Sequence, residues 1–209
     1  VQGTCYHVPN FDYIWDYEKL PSFAEAAADK KAFAEAFNIE YLEQDPLRGK
    51  KLAQQNDDWC IVQNPPALPL TEAEMDEVYD LPYMRTYHPV YEAAGGIPAI
   101  KEVKFSLVSH RGCFGGCNFC AIISHQGRII QHRSHASLLR EAKLLTQLPD
   151  FKGYIHDVGG PTANFRRTSC DQQLVHGTCR GKPCLSPEPC RNLVADHSDY
   201  LALLRELRV

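Results

Sequence analysis

Cys113, Cys117 and Cys120 fall within the run His110-Arg111-Gly112-Cys113-Phe114-Gly115-Gly116-Cys117-Asn118-Phe119-Cys120. Metal is bound by the thiolate rather than the thiol, and three thiolates on one short loop suit an iron–sulfur cube. A [4Fe-4S] cube held by three cysteines keeps one iron without a protein ligand. An open iron is a place for chemistry, whereas a fully ligated cluster stores or passes an electron. The alternative is a structural zinc loop or a ferredoxin-like cluster, completed by a further cysteine from Cys170 onward. Gly112, Gly115 and Gly116 are expected to let the backbone wrap closely and aim amide N–H groups at the sulfurs. Arg111 either offsets the negative charge of a cluster or lies in solvent, and Phe119 is expected to pack beside it.

A second group, Cys170, Cys179, Cys184 and Cys190, has gaps of eight, four and five residues. Four thiolates can complete tetrahedral zinc or ligate an auxiliary iron–sulfur cluster. Lys182-Pro183 and Pro187-Glu188-Pro189 punctuate this segment, which has no helical or strand period. A long loop of that kind needs an internal staple, and a metal would supply it. None of the gaps is the tight CxxC of zinc ribbons, so zinc and iron–sulfur both stay open, beside free thiols or a disulfide formed on oxidation. Cys5 and Cys60 are isolated and read as buried structural thiols.

These residues need elements to position them. Ser22-Phe23-Ala24-Glu25 and Thr71-Glu72-Ala73-Glu74 are capping boxes, in which a hydroxyl and a carboxylate satisfy free backbone N–H groups. Phe23, Ala26, Ala27, Phe33, Ala34 and Phe37 recur at helical spacing, which predicts a helix over about 23–37 with Lys30 and Lys31 on its solvated face. The second box opens a helix to about Tyr79. Trp59-Cys60-Ile61-Val62 reads as a buried strand ended by Asn64-Pro65-Pro66. Residues 81–98 read as an ordered connecting loop. Val103 to Val108 reads as a strand followed directly by the cysteine loop. Ser134 caps a helix that buries Leu138, Leu139, Ala142 and Leu145. Tyr154 to Val158 is the next strand, ended by the turn Gly159-Gly160-Pro161-Thr162, which Asp157 is expected to hold through local hydrogen bonds. Asp196 caps a last helix through Leu207, burying Leu201, Leu204 and Leu207.

Strand, helix, strand, insertion, helix is a βαβα order, which implies parallel strands joined by right-handed crossovers. It puts the cysteine loop and the Gly-Gly turn at the C-terminal ends of neighbouring strands, the face on which α/β-barrel active sites collect. His110, His125, His132, His135 and His156 lie near that face in sequence, and His156 is placed to point inward or to pack. Arg166 and Arg167 follow the turn as a solvated end or as a steering pair for an anionic substrate.

Composition is globular, with 44% hydrophobic and 23% charged residues among 209. A net charge of −4 carries no global basic field for nucleic acid, although Arg166 to Lys182 is locally basic. No apolar run approaches ~20 residues, and no signal peptide is visible. Nine cysteines, seven of them between 113 and 190, read as metal ligands before disulfides, which favours a reducing cytoplasm. Val1 is not an initiator Met and the chain stops at Val209 in a helical run, so a portion of a longer protein is expected.

The trio resembles the CxxxCxΦC motif of the radical S-adenosylmethionine (SAM) enzymes, with Phe119 in the aromatic place. The runs Phe105 to Cys120 and Gly153 to Arg166 resemble a narrower group, the YgiQ-type radical SAM proteins. The likeness continues through Gln63-Asn64-Pro65-Pro66, Leu81-Pro82-Tyr83 and the cysteine-rich stretch. The resemblance implies an α/β fold: an N-terminal family-specific region over 1–98, then the first part of a TIM-like (β/α) barrel over 99–209. That part carries a Cys-rich insertion over 167–191, and its remaining repeats lie beyond Val209. It implies a [4Fe-4S] cluster on Cys113, Cys117 and Cys120, with SAM on the open iron. Reductive cleavage of SAM would yield a 5′-deoxyadenosyl radical that takes hydrogen from an unidentified substrate, with flavodoxin or ferredoxin as electron donor. Phe119 would lie near the adenine. Gly159 and Gly160 would receive the SAM amino group through backbone, while Pro161 and Thr162 stand where the family commonly has an acid. Two other classes compete: an iron–sulfur electron-transfer protein, and a zinc-stapled binding module.

Overall fold

The computed structural model describes residues 1–160 and 165–208. In chain order its strands are β1 (Cys5–Val8), β2 (Tyr17–Lys19), β3 (Lys51–Asn56), β4 (Trp59–Gln63), β5 (Ser106–Val108), β6 (His110–Arg111), β7 (Gln131–His132) and β8 (Asp157–Gly159). Its helices are α1 (Phe23–Ala28), α2 (Lys30–Leu42), α3 (Glu72–Tyr79), α4 (Ile100–Val103), α5 (Ile122–Gln126), α6 (His135–Thr146), α7 (Gln172–His176) and α8 (Ser198–Glu206). They fall into two compact units. The first is Val1–Pro69, Phe114–Ile129 and Cys170–Leu193; the second is Leu70–Cys113, Ile130–Ser169 and Val194–Val209. No helix among the described residues is long and apolar enough to cross a membrane.

The first unit is built on a mixed sheet in the order β1-β4-β3-β2. β4 runs antiparallel to both β1 and β3, while β2 lies parallel to β3. The strand expected to be buried throughout has one buried face: Cys60 and Val62 are inside, Trp59 and Ile61 outside. That is the period-2 alternation of a sheet with one covered face. Cys60 and Val62 join Ile14 and Ala53 in the core, against Val8, Phe11 and Tyr17. Cys60 is therefore the buried thiol expected, and Cys5 is not, being exposed.

The helix expected over 23–37 is two helices. Ser22 and Glu25 form the capping box that opens α1. The chain then turns extended at Asp29 (φ −124°, ψ 122°), whose carboxylate accepts from the Lys31 amide and starts α2. An Asp at that spacing competes with helix continuation by capping its own successor. The aromatic stripe is also not buried, since Phe23, Phe33 and Phe37 are all exposed.

In the second unit, Thr71 and Glu74 form the other capping box, at the start of α3. The expected strand from Val103 begins later, because Ile100–Val103 winds into α4 before β5 starts at Ser106. β8 likewise starts at Asp157, not Tyr154, and runs through Gly159. The expected parallel pairing is present, with Ser106 opposite Asp157, Leu107 opposite Val158 and Val108 opposite Gly159. α6 begins at the Ser134 cap and buries Leu138, Ala142 and Leu145, with Leu139 half-buried. Phe105, Leu107, Leu138, Ala142, Leu145 and Leu203 make the core of the unit. In α8 Leu203 is fully buried; of the leucines expected inside, Leu207 packs against the core and Leu204 is half-buried, whereas Leu201 is half exposed. Asp196 does bind its start, accepting from the Ser198 amide at 2.8 Å and from its hydroxyl at 2.7 Å. The class is mixed α/β, as expected, and the two paired strands β5 and β8 do not by themselves make a barrel wall.

Candidate functional site

The C-terminal ends of β5 and β8 carry the chemistry-bearing segments of the second unit. The ladder continues one step past β5, where the Ser109 amide donates to the Gly159 carbonyl at 2.6 Å. β6 then intervenes before the cysteines and pairs antiparallel with β7, His110 opposite His132. The cysteine loop therefore leaves β6 and not β5 directly, and with α5 it forms the connection from β6 to β7.

His110 is 1% exposed and its Nδ1 lies 2.9 Å from the Ser109 hydroxyl. Its ring sits against the Gly-Gly turn. A Cβ added at Gly160 would stand 2.3 Å from His110 Nε2, so only glycine permits this approach. Burial, then the positive charge of Arg166 and the neighbouring His132, push the imidazole from its ordinary 6.5 down to about 4. His110 is thus neutral near pH 7, packed as a wall behind the turn. A base whose folded pKa is depressed stabilises the fold above its unfolded pKa and loses that contribution as pH falls. Between pH 6.5 and about 4, its protonation should lower stability by roughly 1 kcal/mol per pH unit. Chemical denaturation across that range checks this, with H110Q as the control that flattens the slope.

Two buried arginines fix the same edge. Arg133 is wholly buried and donates to the Val108 carbonyl at 3.1 Å, to Glu141 at 2.5 Å and to the Ser137 hydroxyl; its guanidinium stands 4.1 Å from the Tyr79 ring centre. Arg166 donates from Nε to Asp199 at 2.8 Å, and from its other nitrogens to the Ser109 and Arg133 carbonyls. Burial alone would raise the Asp199 carboxyl, but Arg166 and Arg167 beside it hold it down at about 2. Arg166, expected at a solvated end, is instead a buried strut. Carbonyls left unpaired at the strand ends need donors, and a forked guanidinium satisfies several at once. Arg167 is half exposed and bonds Asp199 at 2.8 Å and His132 Nε2 at 2.7 Å. Nothing in the spacing of Arg133 marked it as part of this edge. His156 precedes β8, exposed and stacked on Tyr154.

Of the cysteine trio, Cys113 ends the first stretch of the second unit and is buried, while Cys117 and Cys120 belong to the first unit, exposed and half-buried respectively. Cys120 donates its amide to the Cys117 carbonyl at 3.0 Å, which closes a tight turn. Gly112 and Gly116 have φ of +88° and +68°, the left-handed conformation that the wrapped loop was expected to use. Phe119, expected to pack, is 93% exposed. None of the nine cysteines is in a disulfide. Three thiols within eight residues match an iron–sulfur cluster in donor type. Among the described residues no three His, Cys, Asp or Glu side chains converge as a formed metal centre. Gly159 is buried in β8 and Gly160 follows it; Pro161 and Thr162 lie outside the described residues.

The second cysteine group lies wholly in the first unit, and its segment contains a helix, α7, that the sequence pattern did not reveal. Two carboxylates bind this segment. Asp45, 2% exposed, accepts from the Thr178 amide and hydroxyl through one oxygen, and from the Leu47 and Arg48 amides through the other. Glu43 binds Arg180 at 2.9 Å and the Lys50 amide at 2.9 Å. Arg48 donates to the Thr178 carbonyl. On the same unit Arg128 donates to the Cys179 carbonyl at 2.9 Å, and Gly116 lies beside Pro183. Cys184 and Cys190 are joined by a backbone bond of 2.8 Å.

Comparison with known proteins adds a further set of findings. The family described as "Radical SAM N-terminal" matches residues 1–106, just over half of the chain. A UPF0313 protein of Clostridium botulinum (strain ATCC 19397 / Type A) is 58% identical over 208 residues, covering 100% of this chain and 32% of that protein. A UPF0313 protein of Clostridium perfringens (strain 13 / Type A) is 54% identical over 209 residues, with 100% and 32% covered. The chain thus spans about a third of the length of the curated relatives it matches. No solved structure matches it.

Proposed function

Because this chain belongs to the radical SAM N-terminal family, we propose that it is part of a YgiQ-type radical SAM enzyme. In this reading Cys113, Cys117 and Cys120 hold three irons of a [4Fe-4S] cluster and leave the fourth for SAM. When bound, such a cluster would supply the electron for reductive cleavage of SAM, the source of a radical able to take hydrogen from a substrate. The observation that carries the reading is the CxxxCxxC set of cysteines just beyond β5 and β6, with β5 paired in parallel to β8, the strand that runs into the Gly-Gly turn.

The protein's own residues have separable tasks. Gly112 and Gly116 bend the loop so that three sulfurs can face one centre, and backbone amides near them tune the potential of what they hold. Neutral His110 keeps the Gly160 backbone in place, and the Gly159 and Gly160 backbone would receive the amino group of SAM. The carboxylate that the wider family commonly uses there has no counterpart in Pro161 or Thr162. Phe119, exposed in this chain, would cover the adenine and exclude water. The buried Arg133 and Arg166 keep the strand ends rigid, which holds the turn in a fixed position relative to the first cysteine. A TIM-like barrel, a flavodoxin or ferredoxin donor and a cytoplasmic setting accompany this reading.

The test is spectroscopic. The chain, reconstituted anaerobically with iron and sulfide and then reduced, should show a cluster signal in electron paramagnetic resonance that changes on adding SAM. A cluster indifferent to SAM points instead to electron transfer, and uptake of zinc with no sulfide points to a stapled binding module. Either outcome defeats the proposal.

A further inference from the structure

The paired strands β5 and β8 have a second end. Phe105 precedes β5 and His156 precedes β8, joined by a bond from the His156 amide to the Phe105 carbonyl at 2.8 Å. Beside them, at the edge opposite the Gly-Gly turn, the second unit has a cavity of about 560 Å³. That size falls in the range of small-molecule sites, ~300–1,000 Å³. Its lining combines two chemistries. Lys101, Lys104 and Lys152 contribute positive charge against one carboxylate, Asp150, which pairs with Lys104 at 2.6 Å. Among the described residues neither Lys101 nor Lys152 is in an ion pair. On a chain of net charge −4, this is a local excess of cations in a concave place, where a field is focused.

The second chemistry is flat. Tyr154 and His156 stack with ring centres 5.0 Å apart and planes 21° from parallel. Tyr154 is 62% exposed, so the shelf they form is open to a ligand. The His156 ring touches the core at Phe105, with ring centres 6.4 Å apart, whereas Tyr154 extends the stack outward beyond the core of Leu107, Leu138, Leu145 and Leu203. Cationic walls would repel a sulfonium, so this is not a second place for SAM. A bare inorganic anion would use the lysines and leave the shelf idle. A planar ring that carries phosphate would use both.

We propose that this pocket binds a nucleoside phosphate, its base stacked on the Tyr154–His156 shelf and its phosphates between Lys101 and Lys152. The inference does not depend on the cluster reading, since all the residues belong to the second unit and none is a cysteine. The ligand is a mononucleotide and not a nucleic-acid strand, because a cavity of about 560 Å³ suits a single small molecule and the chain as a whole carries a net charge of −4.

Isothermal titration calorimetry of the 209-residue chain with adenosine 5′-diphosphate tests it. Binding is expected, with adenosine and inorganic pyrophosphate each at least about tenfold weaker, because each lacks one of the two contacts. Y154A and K152A should each weaken the diphosphate about tenfold. Both side chains are exposed, so neither change empties the core. Raising the salt concentration should also weaken binding, and this measurement on the unaltered chain decides the matter if a variant fails to fold. The proposal is overturned if the diphosphate does not bind, or if pyrophosphate binds as tightly. It is equally overturned if affinity ignores salt, if both folded variants bind like the parent, or if only a single-stranded oligonucleotide binds.

Discussion

Replacing Cys117 by Ala is expected to leave the anaerobically reconstituted chain with iron and acid-labile sulfide at background and no absorbance of a cluster. Three thiolates are the whole protein contribution to the proposed cube, so loss of one leaves two irons without a sulfur ligand from the chain. A cluster held at two corners is not retained through desalting. Cys117 is exposed, so its substitution should leave stability within about 0.5 kcal/mol of the parent. The effect is therefore on the metal and not on folding, and a thermal melt separates the two. In a protein of the full length of the UPF0313 relatives, the same change should abolish release of 5′-deoxyadenosine from SAM. C184A is the matched control, drawn from the other cysteine group. A C117A protein that keeps its cluster and its response to SAM would show that the trio is not the ligand set.

Asp45→Ala should cost about 3–5 kcal/mol of stability. The side chain is nearly inaccessible and accepts from four donors, two of them on Thr178. Truncation leaves buried N–H groups unpaired and unties Cys170–Leu193 from the loop after α2. Burial alone would raise the Asp45 carboxyl, but the bonds from Thr178, Leu47 and Arg48 together hold it below the ordinary value. A depressed carboxyl stabilises the fold above its unfolded pKa, and that contribution is lost as pH falls through the folded one. D45A should therefore show less acid sensitivity than the parent, as well as a lower denaturation midpoint. Hydrogen exchange should localise the loosening to the amides around Thr178. A variant as stable as the parent, with those amides still protected, would mean that the cysteine-rich segment is secured by something else.

Local signals were the most legible part of the fold. Both capping boxes form because Ser22 and Thr71 each have Glu three residues on, a pattern that needs no tertiary partner. The parallel pairing of β5 with β8 followed from strand, helix and strand in succession, since the crossover rule constrains such a unit strongly. Boundaries failed where two local preferences competed. Asp29 reads as a tolerable residue in a helical stripe, yet its capping of Lys31 ends one helix and starts another. Val103 favours a strand by type but lies in a helical turn. Phe33 and Phe37 recur at helical spacing yet are exposed, because periodicity reports an apolar face without reporting whether anything covers it.

In the candidate site, the cysteines and the glycines of the turn could be found from spacing, and their supports could not. Asp45 meets Thr178 across 133 residues, and no local pattern connects them. His110 and Arg166 invited solvent or catalytic roles by residue type. Their actual positions, against Gly160 and beneath the Ser109 carbonyl, depend on how the strand ends come together. A metal is the staple that the cysteines of the long segment suggest, and two carboxylates on a distant loop, which no spacing connects to it, also bind it.

Each compact unit takes its residues from three separate stretches, and those of the first end only at Leu193. A ribosome delivers the chain in order, so β1 to β4 emerge long before the segment that will occupy the oxygens of Asp45. Until then a buried-type carboxylate waits in water with part of its donors missing. Neither unit can be obtained by trimming the gene from one end. A premature stop before Leu193 would release a product whose first unit is unfinished as well as its second, so nonsense alleles across this region should behave alike.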